Sequence, residues 1–513
     1  MTLKGINSRL PIVLVLLIFA SLVVQIYKGS IDDFAPQHIG VGYILTTGES
    51  QNWWAQSMME QVPGYYAFIA MIIEVTNINI YSLPVFPIML IPYLVVFFAC
   101  LYALSKRSSL ALVASLLLTF IWFTLPLNGT SKAWLWPHGL GEILFFTFII
   151  LLTTSPGGKQ MPRVIACLLT AGAAIALSYN VAFYLFVLIC SLLIFARVRR
   201  GSLEPSVQRP LLGTLLFFIV ALLGLSRFIY GTFIPLLRQS SLSLDSIRMF
   251  LAQFFGHRGN GELLQLAMPY PASLTTINIV KYIIYGVIIL TGLIVAKRYF
   301  RHKDSARNLL IPLYFSIIVT VISYIVFRFV IGHFALSAVF YIVVFSVPLI
   351  LCTPAVIPRL NIQKCLIAML AVLLTLNLTS LSIAQRNNTV QKDSYNYITV
   401  ASDWLHEKVN APVYFPDELT FGWSFIKYCE RLPQSANSVP TLLPLDDILD
   451  LYYCRDIAGE KTIVINYRES YTVAGGWDVL LPFKQFKETV EANPSIGAEI
   501  YTLNDDIIVV QTS

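Results

Sequence analysis

Asp32 and Asp33 stand side by side directly after an apolar run, Leu10 to Ile26. Adjacent carboxylates suit two tasks: taking a proton from a hydroxyl group, or holding a hard cation through oxygen ligands. Glu49 and Glu60 follow in the same polar stretch, 27–83. A second long polar stretch, 230–276, carries Arg248, His257 and Arg258. Shorter ones add Trp134, Trp136, His138 and Glu142, then Arg328 and His333. Guanidinium groups bind and stabilise a developing oxyanion through bidentate, charge-assisted hydrogen bonds. Carboxylates near the start of the chain and cations further along therefore suit activation of a hydroxyl opposite a departing anionic group.

The elements that must position these residues are apolar helices. The chain is 57% hydrophobic and 12% charged. A hydrocarbon layer of about 30 Å is crossed by roughly 20 helical residues. Apolar runs near 9–26, 84–104, 109–125, 139–154, 163–179, 181–196, 211–229, 277–297, 309–329, 334–352 and 364–383 approach that length. They are too long and too continuously apolar for barrel strands, and lipid leaves no other way to pair the backbone. The expected fold is a polytopic α-helical membrane protein with about 11 transmembrane helices over 1–384. The stretch 65–73 is too short to span and reads as an interfacial or re-entrant helix. The first run has the length of a span, and no clear small-x-small cleavage site follows it, so it is kept as a span rather than a secretory signal.

Basic residues set the orientation. Lys106, Arg107, Arg197, Arg199, Arg200, Lys297, Arg298, Arg301, Lys303 and Arg307 fall on one side, opposed there by Glu204 and Asp304. By the positive-inside bias that side is the cytosol, which also receives the N-terminus. The polar stretches 27–83 and 230–276 then face the exoplasmic side. The net charge of +7 is largely this topology signal, and nucleic acid is not an expected partner. No glycine-rich phosphate loop and no Cys/His metal spacing is present, which argues against nucleotide-dependent chemistry on the cytosolic face.

Residues 385–513 reverse the balance, with 10 basic and 18 acidic residues. They are expected to form a small soluble exoplasmic α/β domain. A helix is predicted near 394–409, strands at 412–415 and 461–466, and a helical pattern at 482–491. A terminal hairpin is predicted to join Ala498–Leu503 to Ile507–Gln511 around Asn504-Asp505-Asp506. Cys429 and Cys454 are the two cysteines of this part, and an oxidising compartment would allow them to pair. The other five cysteines lie in or beside apolar runs, as small packing residues.

The doublet in Ile31-Asp32-Asp33-Phe34, its place after the first span, and Pro63-Gly64-Tyr65-Tyr66 before the second resemble the GT-C superfamily of integral-membrane glycosyltransferases, in its protein mannosyltransferase-like branch. The C-terminal part with its hairpin is similar to the small exoplasmic domains of prokaryotic members. A Trp-Trp-Asp signature of oligosaccharyltransferases is absent; Gly475-Gly476-Trp477-Asp478 resembles it only superficially. The resemblance implies inverting sugar transfer from a polyprenyl-phosphate-linked donor to a glycan, lipid or protein acceptor. It implies Asp32 or Asp33 as the base, the order within the doublet being open. Arg248, Arg258 and Arg328, with His257 and His333, would then hold the donor phosphate. Glu49, Glu60, Trp134, Trp136, His138 and Glu142 would line the substrate site. Some members of the superfamily use a divalent cation and others none, so magnesium or manganese at Asp32 and Asp33 stays open. Trp134 and Trp136 also suit plain anchoring in the headgroup layer. The alternative reading is a polytopic transporter or flippase of lipid-linked glycans. Such proteins usually carry internal repeats and midplane ionisable groups, and neither is evident here.

Overall fold

The computed structural model describes residue 20 and residues 35–47, 63–80, 83, 88–105, 110–124, 137–153, 160–198, 205–224, 272–299, 309–330, 338–352, 361–387, 394–409, 412–415, 418–431, 440–443, 460–466, 471–474, 477–480, 498–503 and 507–511. The expected first span, 9–26, lies outside them save for residue 20.

Helices dominate what is described. Two short helices come first, α1 (Ala35–Thr47) and α2 (Pro63–Thr76). Ten apolar helices follow: α3 (Leu90–Ser105), α4 (Ala111–Phe123), α5 (Pro137–Thr153), α6 (Gln160–Leu177), α7 (Tyr179–Val198), α8 (Pro205–Gly224), α9 (Ala272–Tyr299), α10 (Leu310–Val330), α11 (Val339–Leu351) and α12 (Ile362–Asn387). Each falls on one of the predicted runs from 84–104 onward. By length and composition, three segments among the described residues are long and apolar enough to cross a membrane: Val181–Val198, Thr276–Arg298 and Ile362–Ser380. The apolar stretches of the remaining helices are shorter, at 10–17 residues. The outer faces are apolar too: Leu169, Leu216, Ile283 and Leu290 are all more than half exposed. Contiguous exposed apolar surface of this kind requires a non-aqueous surround.

Local chemistry sets several helix ends. Pro63, Pro137 and Pro205 open α2, α5 and α8, where a missing amide hydrogen costs nothing. Helix α2 stops where Asn77 takes a left-handed conformation with φ of 48°, a backbone shape asparagine tolerates better than most residues. Arg163 closes the α5 end: its Nε donates to the Leu151 carbonyl at 2.6 Å, and its guanidinium also donates to that of Leu152.

In the bundle, α7 packs on α10, α3 on α5, α9 on α11, and α4 on α12. The stretch expected to be interfacial or re-entrant, 65–73, lies within α2, a 14-residue helix. Its Tyr65, Tyr66, Ile69 and Ile73 are buried, and it packs on α1 and α6.

After α12 come α13 (Ser394–Lys408), β1 (Val413–Phe415), α14 (Glu418–Arg431), β2 (Pro440–Leu442), β3 (Thr462–Asn466), β4 (Tyr471–Ala474), β5 (Trp477–Leu480), β6 (Ala498–Leu503) and β7 (Ile507–Gln511). Five of the strands form one mixed sheet in the order β2-β1-β3-β7-β6. β1 runs parallel to β2 and β3, while β7 runs antiparallel to β3 and β6. The predicted terminal hairpin is present, with a register shift between Glu499 and Tyr501. The helical pattern at 482–491 lies outside the described residues.

One helix was not foreseen. Helix α14 packs on α1 as well as on α13 and the sheet. A Cβ placed on Gly40 of α1 would lie 2.9 Å from Phe425 Cδ1 and 3.2 Å from Cys429 Sγ. On the opposite face of the same turn, a Cβ on Gly42 would lie 2.8 Å from Ile69 Cβ of α2. Two glycines thus let α1 sit against helices on both sides. Gly42→Val is expected to destabilise the protein by about 1–3 kcal/mol through overpacking, read as a lower thermal transition. An unchanged transition would show that α2 gives way freely.

Candidate functional site

Glu142 is the sequence-nominated residue that the structure resolves best. It sits one turn into α5 and is 9% exposed. Tyr93 Oη of α3 donates a hydrogen bond to its carboxylate. The Tyr341 hydroxyl of α11 donates to the same group. Trp122 Nε1 of α4 donates in turn to Tyr93 Oη at 3.1 Å. Four helices therefore converge on one carboxylate. A buried carboxylate is tolerated because these donors replace water.

Close approach of helices makes this possible. A Cβ on Gly141 would lie 2.6 Å from Val181 Cγ2 and 2.7 Å from Ser178 Cβ. Helix α5 thus presses against the junction of α6 and α7. The same junction receives α2, where a Cβ on Gly64 would lie 2.7 Å from the Ala176 carbonyl. Through this junction, residues 176–181, the helix pair that follows the doublet is tied to the carboxylate cluster.

Beside the carboxylate lies a cavity of about 30 Å³, lined by Glu142, Tyr184, Thr320, Tyr324, Tyr341 and neighbouring apolar side chains. The volume is that of a space able to hold water-sized groups. The Tyr184 and Tyr324 rings meet edge to face at 4.6 Å. Arg328 lies on α10 one turn beyond Tyr324, and His138 lies on α5 one turn before Glu142. Their backbones are placed at the same end of the bundle as the cavity. Asp32, Asp33, Glu49, Glu60, Trp134, Trp136, Arg248, His257, Arg258 and His333 lie outside the described residues.

Helix α1 begins two residues after Asp33, at Ala35. Its His38 is buried against α2, sharing a hydrogen bond between Nδ1 and Tyr66 Oη at 2.8 Å. Its ring also meets Tyr65 edge-on at 5.6 Å. Burial pushes the imidazole down from its ordinary 6.5 to about 3. His38 is therefore neutral in the fold. Because the folded value lies below the unfolded one, its contribution is present in full above pH 6.5. It is lost as pH falls from 6.5 towards 3, at about 1.4 kcal/mol per pH unit. Melting temperature is expected to fall between pH 7 and pH 5, and the fall should shrink in His38→Gln. Equal pH profiles for the two proteins would remove this assignment.

Cys429 is a free thiol, fully buried between α14 and α1, and burial pushes its pKa up. Its sulfur is used in packing against Gly40 of α1, and Cys454 lies outside the described residues. Among the described residues no three His, Cys, Asp or Glu side chains gather in a metal-holding group.

Sequence reading missed Tyr93, Trp122, Tyr184, Tyr324 and Tyr341 as site residues. Each stands in an apolar run, where an aromatic ring normally signals packing. The one available signal was the spacing that puts a single ionisable group, Glu142, near the start of a span.

No protein-family model matches the sequence, and no curated protein sequence matches it. Among solved structures the chain is similar to ArnT from Cupriavidus metallidurans in the apo state, at 12% identity and a TM-score of 0.47, over 97% of both chains. It is also similar to ArnT from Cupriavidus metallidurans bound to undecaprenyl phosphate, at 11% identity and a TM-score of 0.38, again over 97% of both chains. Likeness at that level fixes neither an activity nor any site residue of this chain.

Proposed function

We propose that this chain is an integral-membrane glycosyltransferase of the GT-C type, moving a sugar from a polyprenyl-phosphate donor to an acceptor on the exoplasmic face. The observation that carries the reading is the Glu142 cluster, where a carboxylate, four tyrosines and a cavity meet at one end of an apolar bundle. The α1–α2 pair, which continues from the acidic doublet, is docked at the same helix junction. A polar cluster at the end of an apolar bundle supports chemistry on a lipid-borne substrate near the membrane surface.

In this reading Asp32 or Asp33 removes the acceptor proton as its oxygen attacks the anomeric carbon. The C–O bond to the lipid phosphate breaks, and the phosphate leaves with the bonding pair. Arg248, Arg258 and Arg328 hold that developing charge, with His257 and His333 beside them. Glu142 has two tyrosine donors and retains acceptor capacity for a substrate hydroxyl. Glu49, Glu60 and His138 complete the polar lining, and Trp134 and Trp136 offer faces for a sugar ring. If magnesium or manganese takes part, the doublet supplies the hard oxygen ligands such ions select.

The test is turnover of a panel of polyprenyl-phosphate sugars by the purified protein in lipid, with and without magnesium or manganese. Release of sugar from one donor supports the reading. Movement of a lipid-linked glycan across the bilayer with no bond broken would replace it with transport.

A further inference from the structure

A second polar cluster sits between α9, α12 and α4. Lys281 of α9 is 5% exposed, and its Nζ donates to Ser380 Oγ of α12 at 3.3 Å. On the same α12 face, Asn377 is fully buried. Its Nδ2 donates to the Ile121 carbonyl of α4 at 3.1 Å, while its Oδ1 has no hydrogen-bond partner among the described residues. Among the described residues Lys281 makes no ion pair.

Depth is informative. Ser380 closes the apolar segment Ile362–Ser380, and Lys281 lies five residues into Thr276–Arg298. The cluster is therefore at the opposite end of these segments from Lys297, Arg298 and Lys364, near the edge of the apolar layer, where lipid phosphates lie. A lysine that merely reaches up to headgroups keeps its ammonium in the wet layer. This one is enclosed between α9 and α12, although Ile279, Tyr282 and Ile283 around it face outward.

The hydrogen-bond balance points to an anion. A protonated lysine has three donors, and one is used on Ser380. Thr375 and Thr379 of α12 donate to carbonyls one turn back. Ser380 makes no such bond and accepts from the lysine, so its own proton remains to be given. Among the described residues, two ammonium hydrogens and one hydroxyl hydrogen are left without an acceptor at a buried position. Enclosing an ammonium without a counter-charge is costly, and a phosphate oxyanion would satisfy all three donors.

We propose that Lys281 and Ser380 form a binding site for the phosphate of a membrane lipid, whose hydrocarbon chain lies along the exposed apolar faces of α9 and α12. Two lipids carry that chemistry, a polyprenyl phosphate and an anionic phospholipid. Only the polyprenyl case rests on the glycosyltransferase reading; the phospholipid case stands without it.

The experiment is native mass spectrometry of the full-length protein in detergent, titrated in turn with a polyprenyl phosphate, with phosphatidylglycerol, and with the parent polyprenol. Lys281→Met is expected to weaken one phosphate lipid by roughly tenfold or more, the value of a charge-assisted hydrogen bond. Lys281→Arg should largely retain it, Ser380→Ala should weaken it less, and polyprenol should be indifferent to all three. Loss confined to polyprenyl phosphate identifies the carrier as the ligand, and loss confined to phosphatidylglycerol identifies a structural lipid. Lys281→Gln and Ser380→Ala serve if Lys281→Met does not fold, as judged by its elution profile. Equal retention of both phosphate lipids by the wild type and the folded variants would overturn the site.

Discussion

Replacing Asp33 or Asp32 by asparagine is expected to lower sugar transfer by roughly 10²- to 10⁴-fold, the range a positioned general base contributes. Asparagine keeps the size and one acceptor oxygen but cannot take a proton at neutral pH. The loss should therefore fall on kcat, with donor binding little changed. One of the two positions should carry most of the effect, because a single base suffices for one acceptor hydroxyl. If both variants fold and turn over at the wild-type rate, the base lies elsewhere, and Glu49, Glu60 and Glu142 are next. A metal-dependent reaction would add a second signature. The weaker variant would then need a higher magnesium or manganese concentration to reach half its maximal rate, since one hard oxygen ligand has been made neutral.

Glu142→Gln is expected to cost roughly 10- to 100-fold in kcat/KM, the equivalent of one hydrogen bond to a charged group. The amide keeps the shape of the side chain and one oxygen for the Tyr93 and Tyr341 hydroxyls, which now compete for it. Glu142→Leu takes the carboxylate acceptor from two buried hydroxyl hydrogens, which costs about 1–3 kcal/mol for each. The two variants separate function from structure. A glutamine variant with normal melting but poor kinetics assigns Glu142 to the substrate. A glutamine variant with normal kinetics, beside a destabilised leucine variant, leaves Glu142 as a packing partner of the tyrosines. Tyr93→Phe gives a third reading, because it frees one carboxylate oxygen and also leaves the Trp122 indole without its acceptor.

The sequence by itself determined the helices, because their signal is local. Each apolar run from 84–104 to 364–383 appears as a helix, within a few residues except where proline moves a start. Run 84–104 begins as a helix only at Leu90, beyond Pro84 and Pro87, residues that lack an amide hydrogen and restrict the residue before them. The terminal hairpin was equally legible, since alternation of apolar residues about Asn504-Asp505-Asp506 is a short-range pattern.

Only the tertiary structure decided which residues meet. Glu142 was visible as an ionisable group near the start of a span. That Tyr93, Trp122 and Tyr341 surround it depends on side chains 20 to 199 positions away, on three other helices. In an apolar run nothing distinguishes a tyrosine that fills space from one that donates a hydrogen bond. Helix α14 was missed for the same reason. Its Phe421, Phe425, Tyr428 and Cys429 form a stripe at helical spacing, but what that stripe covers is α1, nearly 400 residues earlier. The use of the Cys429 thiol to pack against Gly40 is likewise a property of the contact, and sequence spacing carries no record of it. Periodicity follows from the backbone geometry of one element. Convergence follows from how elements pack, and there the close approaches at Gly40, Gly42 and Gly141 were decisive.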